Sequence, residues 1–154
     1  MYATTTTGLV RAPRARVYAA LLDPDAVARW RVPDGMTAEV DEWEATEGGR
    51  FRVSLTYDGD EAGKSGAHTD TYAGRFTRLV ADEEVVELLA FETDDPELGG
   101  EMTMTTRLRD ADGGTEVELV HDGVPDAVDP EQNAAGSRMA LAHLTEYVEA
   151  QVAG

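Results

Sequence analysis

Apolar and polar residues alternate with a period of two through much of the chain. The clearest case is the segment 50–57, in which Phe51, Val53, Leu55 and Tyr57 alternate with polar residues, as in a strand with one buried face. Trp43 falls out of phase with the alternation before it, which indicates a β-bulge. Six further segments predict strands: Thr4–Val10, Met36–Trp43, Tyr72–Phe76, Val85–Phe91, Met102–Leu108 and Val117–His121.

Helical patterns occupy two parts of the chain. Pro13 opens a short helix, and Asp23 ends it and caps a second one that runs through Trp30. The last helix is predicted over Pro130–Val152, and about 22 residues give it a length near 33 Å. Its apolar residues follow helical spacing at Ala140, Leu141, Leu144, Val148 and Val152.

The order of these elements predicts the fold class. Consecutive strands joined by short turns form an antiparallel sheet, and one long amphipathic helix must bury its apolar face against that sheet. We therefore predict an α+β two-layer fold in a single domain over residues 1–154. Asp58–Gly66 is predicted to be a polar loop.

Charge narrows the possible partners. Thirty-one acidic residues against thirteen basic ones leave a formal net charge of −18 over the 154 residues. Binding to nucleic acid or to an anionic membrane requires a basic surface, so we expect neither as a partner. The acid excess fits a high-salt cytoplasm, and it also fits an acidic protein of an ordinary bacterium with a GC-rich genome.

The remaining composition excludes several kinds of chemistry. The chain has no cysteine, so disulfides and thiolate sites are ruled out, and a reducing, cytoplasmic location is expected. No apolar run reaches the ~20 residues of a membrane span, and the N-terminus lacks a signal-peptide pattern. His68, Asp70 and His121 do not form a recognisable metal motif. We expect no metal and no cofactor. We also expect no catalytic group, since the serines lie in no nucleophile elbow.

Several short motifs are specific in combination. The chain resembles the activator of heat shock protein 90 ATPase homologue family, within the START-like (Bet v 1-like, SRPBCC) superfamily. The motifs that carry the resemblance are Asp23–Pro24 followed by Trp30, Glu47–Arg52 (EGGRFR), Tyr72–Phe76 (YAGRF) with Val85–Val86, Thr115–Gly123 (TEVELVHDG), and Leu141, Leu144, Tyr147 and Val148 in the last helix.

This resemblance implies a helix-grip fold, in which a curved antiparallel seven-stranded sheet surrounds a long C-terminal helix, with two short helices after strand 1. The space between sheet and helix is commonly a ligand cavity. The sequence departs from the family where the last helix begins, because Gly136-Ser137 replaces the usual Gly-Trp. The missing indole predicts extra space at Ser137 or a repacked neighbour.

The candidate ligand-binding residues follow from strand parity and from the resemblance. They are Trp30, Phe51, Val53, Leu55, Tyr72, Phe76, Met102, Met104, His121, Ser137 and Leu141. Trp43 is a further candidate for the mouth of the pocket. Glu87 lies in a strand whose apolar run is too continuous to fix its face, and we expect it to point outward. His121 is either a polar group in the cavity or a neutral histidine bonded to backbone.

Three functions remain open. The first is binding of a small hydrophobic molecule by a monomer or homodimer. The second is an aromatase/cyclase- or hydrolase-type enzyme that uses His121, and with it Tyr72 or Glu87, in acid–base roles. The third is a co-chaperone-like protein-binding domain. A ligand-sized cavity favours the first two, whereas a filled core with an exposed apolar patch favours the third.

Overall fold

The computed structural model describes residues 1–58 and 69–153 and confirms the predicted order of elements. Except for its first residue, Asp58, the predicted polar loop Asp58–Gly66 lies outside the described residues, and so does His68. The elements are β1 (Tyr2–Val10), α1 (Arg14–Leu22), α2 (Pro24–Trp30), β2 (Met36–Trp43), β3 (Arg50–Tyr57), β4 (Thr69–Val80), β5 (Glu84–Phe91), β6 (Met102–Ala111), β7 (Gly114–Val124) and α3 (Pro130–Ala153).

All seven strands form one curved antiparallel sheet in the order β1-β7-β6-β5-β4-β3-β2. Strands that follow one another in sequence are neighbours from β2 to β7, and β1 joins the sheet beside β7. The bulge indicated by Trp43 is present, because the β2–β3 register shifts between Val40 and Glu42. The sheet is therefore the one expected from the short turns.

The two short helices begin and end where their sequence indicates. Pro13 precedes the first residue of α1, and the Asp23 carboxylate accepts a hydrogen bond of 2.9 Å from the Asp25 backbone N–H at the start of α2. Trp30 closes α2, where its indole N–H donates to the Ala20 carbonyl at 2.9 Å. This buried hydrogen bond ties the end of α2 to α1 and fixes the direction in which the chain leaves Trp30.

The long helix α3 lies against the concave face of the sheet and contacts β1 at Gly8. A Cβ atom at Gly8 would stand 2.8 Å from Leu141 Cδ2, so a larger residue there would force the Leu141 side chain to move. Leu141, Leu144 and Val148 are the buried residues of α3. Within residues 1–58 and 69–153, no helix has both the length and the apolar character that crossing a bilayer requires.

One end of the interior is filled by aromatic side chains. The ring centroids of Phe51 and Phe76 lie 5.1 Å apart, and Trp43 lies 5.8 Å from Phe51 and 5.3 Å from Phe76. The Trp43 indole N–H donates to the Leu22 carbonyl at 2.7 Å. We call Trp43, Phe51 and Phe76 the aromatic cluster. Tyr72, whose ring lies 6.2 Å from Phe51, marks its boundary.

Candidate functional site

A cavity of about 310 Å³ lies between the first half of α3 and the sheet. Strands β3 to β7 supply its floor and walls, and the chain from Trp30 to Pro33 supplies one side of its rim. Most of its lining side chains are apolar, and its volume is at the lower end of small-molecule sites. The cavity is therefore large enough for a small organic molecule.

Seven of the candidate ligand-binding residues line this cavity. They come from α2, from four of the strands and from α3: Trp30, Leu55, Tyr72, Met102, Met104, His121 and Ser137. Strand parity brings most of them together, because successive side chains of a strand point to opposite faces. His121 shares the inward face of β7 with Val117 and Leu119, as the alternation predicts.

The other four candidates do not line the cavity. Phe51 and Phe76 belong to the aromatic cluster, and Val53 is fully buried in the core. Leu141 packs against Gly8 of β1 instead of facing the cavity. Trp43 also lies in the aromatic cluster, away from the pocket mouth. Alternation places these side chains inside, but the packing partners decide whether an inward residue meets another side chain or open space.

The expected outward orientation of Glu87 is wrong. Glu87 is only 4% exposed, and it shares the inward face of β5 with Val85, Leu89 and Phe91, all of which line the cavity. A carboxylate is costly to bury without a partner. The guanidinium of Arg31 supplies that partner, with Nη1 donating to Glu87 Oε1 at 2.7 Å.

Sequence reasoning missed Arg31 altogether. It follows Trp30 at the C-terminal end of α2, a position that is typical of solvent-exposed basic residues. Its side chain is only 13% exposed and reaches across the cavity wall to Glu87. The sequence did contain a signal for this pair. Glu87 lies in an apolar strand and requires a cation if it is buried, and Arg31 directly follows Trp30, a predicted pocket residue.

Arg31 is the centre of a group of polar side chains at one end of the cavity. Its Cζ lies 5.1 Å from the centroid of the Tyr72 ring, which is a cation–π distance. Its Nη2 lies 3.3 Å from Met104 Sδ. We call Arg31, Tyr72, Glu87 and His121 the polar cluster.

Two polar atoms of this cluster are buried without a hydrogen-bond partner among the described residues. They are Tyr72 Oη and His121 Nε2. The other ring nitrogen of His121, Nδ1, lies 3.1 Å from Asn133 Nδ2 on α3, and Asn133 Oδ1 accepts from Thr4 Oγ1 at 2.6 Å. An amide nitrogen can only donate, so Nδ1 accepts and Nε2 carries the hydrogen.

Burial and charge hold His121 and Tyr72 in their neutral forms and Arg31 in its charged form. Desolvation, reinforced by the charge of Arg31, lowers the pKa of His121 to about 4, although Asp122 opposes the shift. Burial raises the pKa of Tyr72, against the opposing effect of Arg31. For Arg31, burial is the largest single effect and lowers the pKa, but the charge of Glu87, the interaction with Tyr72 and the hydrogen bond to Glu87 together outweigh it and raise the pKa.

The first half of α3 leaves room above the cavity where its residues are small, although Gln132, Asn133 and Met139 also line it. Gly136, Ser137 and Ala140 all line the cavity, and a Cβ atom added at Gly136 would meet nothing within 4 Å. The cavity therefore lies beside Ser137, where the sequence predicted either space or a repacked neighbour.

A larger and shallower groove of about 690 Å³ lies beside the cavity, between the α2–β2 connection and α3. The Asp34 carboxylate and His143 Nε2 approach to 3.1 Å across it. Val32 and Pro33 border both spaces. Among the described residues, no three His, Cys, Asp or Glu side chains come close enough together to hold a metal ion.

Comparisons with known proteins agree with this architecture. Residues 11–149 match the family model described as Activator of Hsp90 ATPase homolog 1-like protein. A crystal structure of a protein from Chromobacterium violaceum is 30% identical, with a TM-score of 0.86 over 96% of this chain and 97% of that one. No curated protein is detectably similar in sequence.

Two more distant structures share the fold. The AHSA1-like protein from Aeromonas hydrophila is 22% identical, with a TM-score of 0.76 over 97% of this chain and 93% of that one. DynU16, from the dynemicin biosynthetic locus, is 19% identical, with a TM-score of 0.68 over 97% of this chain and 48% of that one.

Proposed function

The chain belongs to the Activator of Hsp90 ATPase homolog 1-like family, and from that premise we propose that it binds a small hydrophobic molecule in the cavity between α3 and the sheet. The observation that carries the proposal is the cavity itself, about 310 Å³ in volume and lined mainly by apolar side chains. Burying apolar ligand surface there is favourable by roughly 25 cal/mol per Å².

Acid–base catalysis is less well supported. An efficient general acid or base has a pKa near the working pH. The pKa of His121 is lowered to about 4 and that of Tyr72 is raised, so neither group exchanges a proton readily near neutrality. Glu87 is held in an ion pair by Arg31. These properties suit groups that orient a bound molecule rather than groups that transform it.

A co-chaperone-like surface is also less well supported. Among the described residues, the large hydrophobic side chains that are exposed are Met1, Leu9 and Val152. They are three single residues, which is few for a protein-binding site, since such sites expose contiguous apolar patches. As part of the proposal we place the protein in the cytoplasm, with which its cysteine-free sequence is compatible.

The direct test uses N-phenyl-1-naphthylamine, a neutral apolar dye whose fluorescence rises in an apolar site. The wild-type protein should bind it, and Ser137→Trp should fill the cavity and weaken binding. The indole takes space that the dye would occupy, so about tenfold weaker binding is expected, which corresponds to about 1.4 kcal/mol of binding free energy.

The matched control is Ala135→Trp, which adds the same indole at an exposed position of α3 two residues earlier. It should leave the dye affinity unchanged. If the folded Ser137→Trp variant binds the dye as tightly as the Ala135→Trp variant, the dye does not occupy this cavity. If the wild-type protein binds no dye, the proposed function is wrong.

A further inference from the structure

The polar cluster restricts what the cavity can accept. Tyr72 Oη and His121 Nε2 line it, are buried, and have no hydrogen-bond partner among residues 1–58 and 69–153. Buried polar atoms in native proteins are nearly always hydrogen-bonded, so each atom without a partner requires an explanation. A bound molecule with a complementary polar group would supply the missing partner.

Both atoms offer a hydrogen to the cavity. Asn133 Nδ2 donates to His121 Nδ1, which leaves the hydrogen on Nε2, and Thr4 fixes the amide of Asn133 from the other side. A phenol whose pKa is raised keeps its hydrogen at neutral pH, so Tyr72 is also a donor. The group that fits this end of the cavity is therefore an acceptor.

The two unpartnered atoms of the cluster are both donors, and the cluster as a whole carries no net charge. Arg31 and Glu87 are paired at 2.7 Å, so the positive charge of the guanidinium is already balanced within the protein. His121 is neutral near pH 7. An anionic ligand would place an unbalanced negative charge close to Glu87 in a low-dielectric site, which is unfavourable. A neutral acceptor would avoid that cost.

We propose that the bound molecule carries a neutral acceptor oxygen, as in a ketone, ester or amide carbonyl, which faces Tyr72 Oη and His121 Nε2 while its hydrocarbon part fills the apolar remainder of the cavity. This inference rests on the proposed binding function. It adds the ligand class, an uncharged carbonyl compound, and the two residues that select it.

The test is displacement of N-phenyl-1-naphthylamine by three naphthalenes of similar size. 2-Acetylnaphthalene is a neutral ketone, 2-isopropylnaphthalene has no acceptor, and 2-naphthoate is an anion. The wild-type protein should prefer the ketone to the hydrocarbon by roughly fivefold to tenfold, the value of one net hydrogen bond. It should bind 2-naphthoate more weakly than the ketone.

Three variants assign that preference to residues. Tyr72→Phe and His121→Phe should each reduce the ratio of ketone to hydrocarbon affinity, and using the ratio cancels any general change in cavity size. Tyr147→Phe is the control, because its hydroxyl accepts from Gln151 Nε2 at 2.9 Å and lies outside the cavity. This control should keep the wild-type ratio.

The outcomes separate the two proposals. If the dye does not bind the wild-type protein, both proposals fail. If the dye binds but the ketone and the hydrocarbon compete equally, the cavity is a general apolar site and the carbonyl proposal is overturned. Stronger binding of 2-naphthoate than of the ketone would overturn the requirement for a neutral group. An unchanged ratio in both cavity variants would remove Tyr72 and His121 from the selection.

Discussion

The two ends of the interior are built from the same strands yet differ in packing. On β3 and β4, Phe51 and Phe76 point inward and belong to the aromatic cluster, whereas Leu55 and Tyr72 point inward and line the cavity. The aromatic end is closed by ring contacts of 5.1–5.8 Å. The other end keeps about 310 Å³ of space and holds the polar cluster.

The covering elements account for the difference. Trp43 closes the aromatic end, where its indole bonds to the end of α1. Over the cavity, α3 presents Gly136, Ser137 and Ala140, which are too short to reach the sheet. Only the later residues of α3, such as Leu144, are fully buried. The small residues in the first half of α3 therefore leave a cavity at one end of the inner sheet face, whereas the other end is filled as a core.

The largest expected effect comes from opening the aromatic end. Phe76 is fully buried, so Phe76→Ala should lower the free energy of unfolding by about 3–5 kcal/mol. The measurement is urea denaturation. Met102→Ala, on the cavity wall, should cost less, at the lower end of the ~2–5 kcal/mol range for such changes, because it enlarges an existing space. Equal losses in the two variants would contradict the distinction between the two ends.

Breaking the ion pair should destabilise the cavity end. Glu87→Gln leaves the Arg31 charge without its counterion in a largely buried position. The free energy of unfolding should therefore fall by about 3 kcal/mol. The control is Glu131→Gln, whose partner Arg138 is more than half exposed, and whose effect should be small. Replacing both Arg31 and Glu87 by Met should recover most of the loss. A double variant as unstable as Glu87→Gln would show that the pair does not act as a unit.

The pH dependence of stability should report on His121. Its pKa is about 4 in the folded protein and 6.5 as the ordinary value. Between these values the unfolded chain binds a proton that the folded protein does not, so stability falls as the pH is lowered from 7 and levels off below about 4. Between pH 7 and pH 5, the free energy of unfolding should fall by about 2 kcal/mol more in the wild type than in His121→Phe.

The measurement is urea denaturation of both proteins at the two pH values. Every other ionisable group is present in both proteins, so its contribution cancels in the difference. Equal pH dependence in the two proteins would mean that His121 titrates normally, and an NMR titration of its ring would then give a pKa near 6.5.

The smallest effect should come from the unpartnered hydroxyl. Tyr72→Phe removes a buried oxygen without a partner among the described residues, so the ligand-free protein should become more stable by up to about 1 kcal/mol. Tyr147→Phe removes a hydroxyl that does have a partner, Gln151, and should not stabilise. Thermal denaturation distinguishes the two variants, and destabilisation by Tyr72→Phe would indicate that the hydroxyl already has a stabilising contact.

The sequence predicted the sheet and helices because these follow from local periodicity. The alternation in β3, the cap at Asp23 and the long apolar stripe of α3 each depend on residues close together in the chain. The replacement of the family's indole by Ser137 also predicted the position of the extra space. Such features are determined by short-range geometry and by side-chain size, both of which can be read from the sequence.

Only the tertiary structure decided which inward residues meet space and which polar groups meet each other. Phe51 and Leu55 have the same parity on β3, yet one is packed and the other lines the cavity. Glu87 turns inward because Arg31, 56 positions away, reaches it across the wall. A buried carboxylate is stable only with its counterion in place, and no pattern along a single strand records that partner, because only the fold brings Arg31, just after α2, to Glu87 on β5.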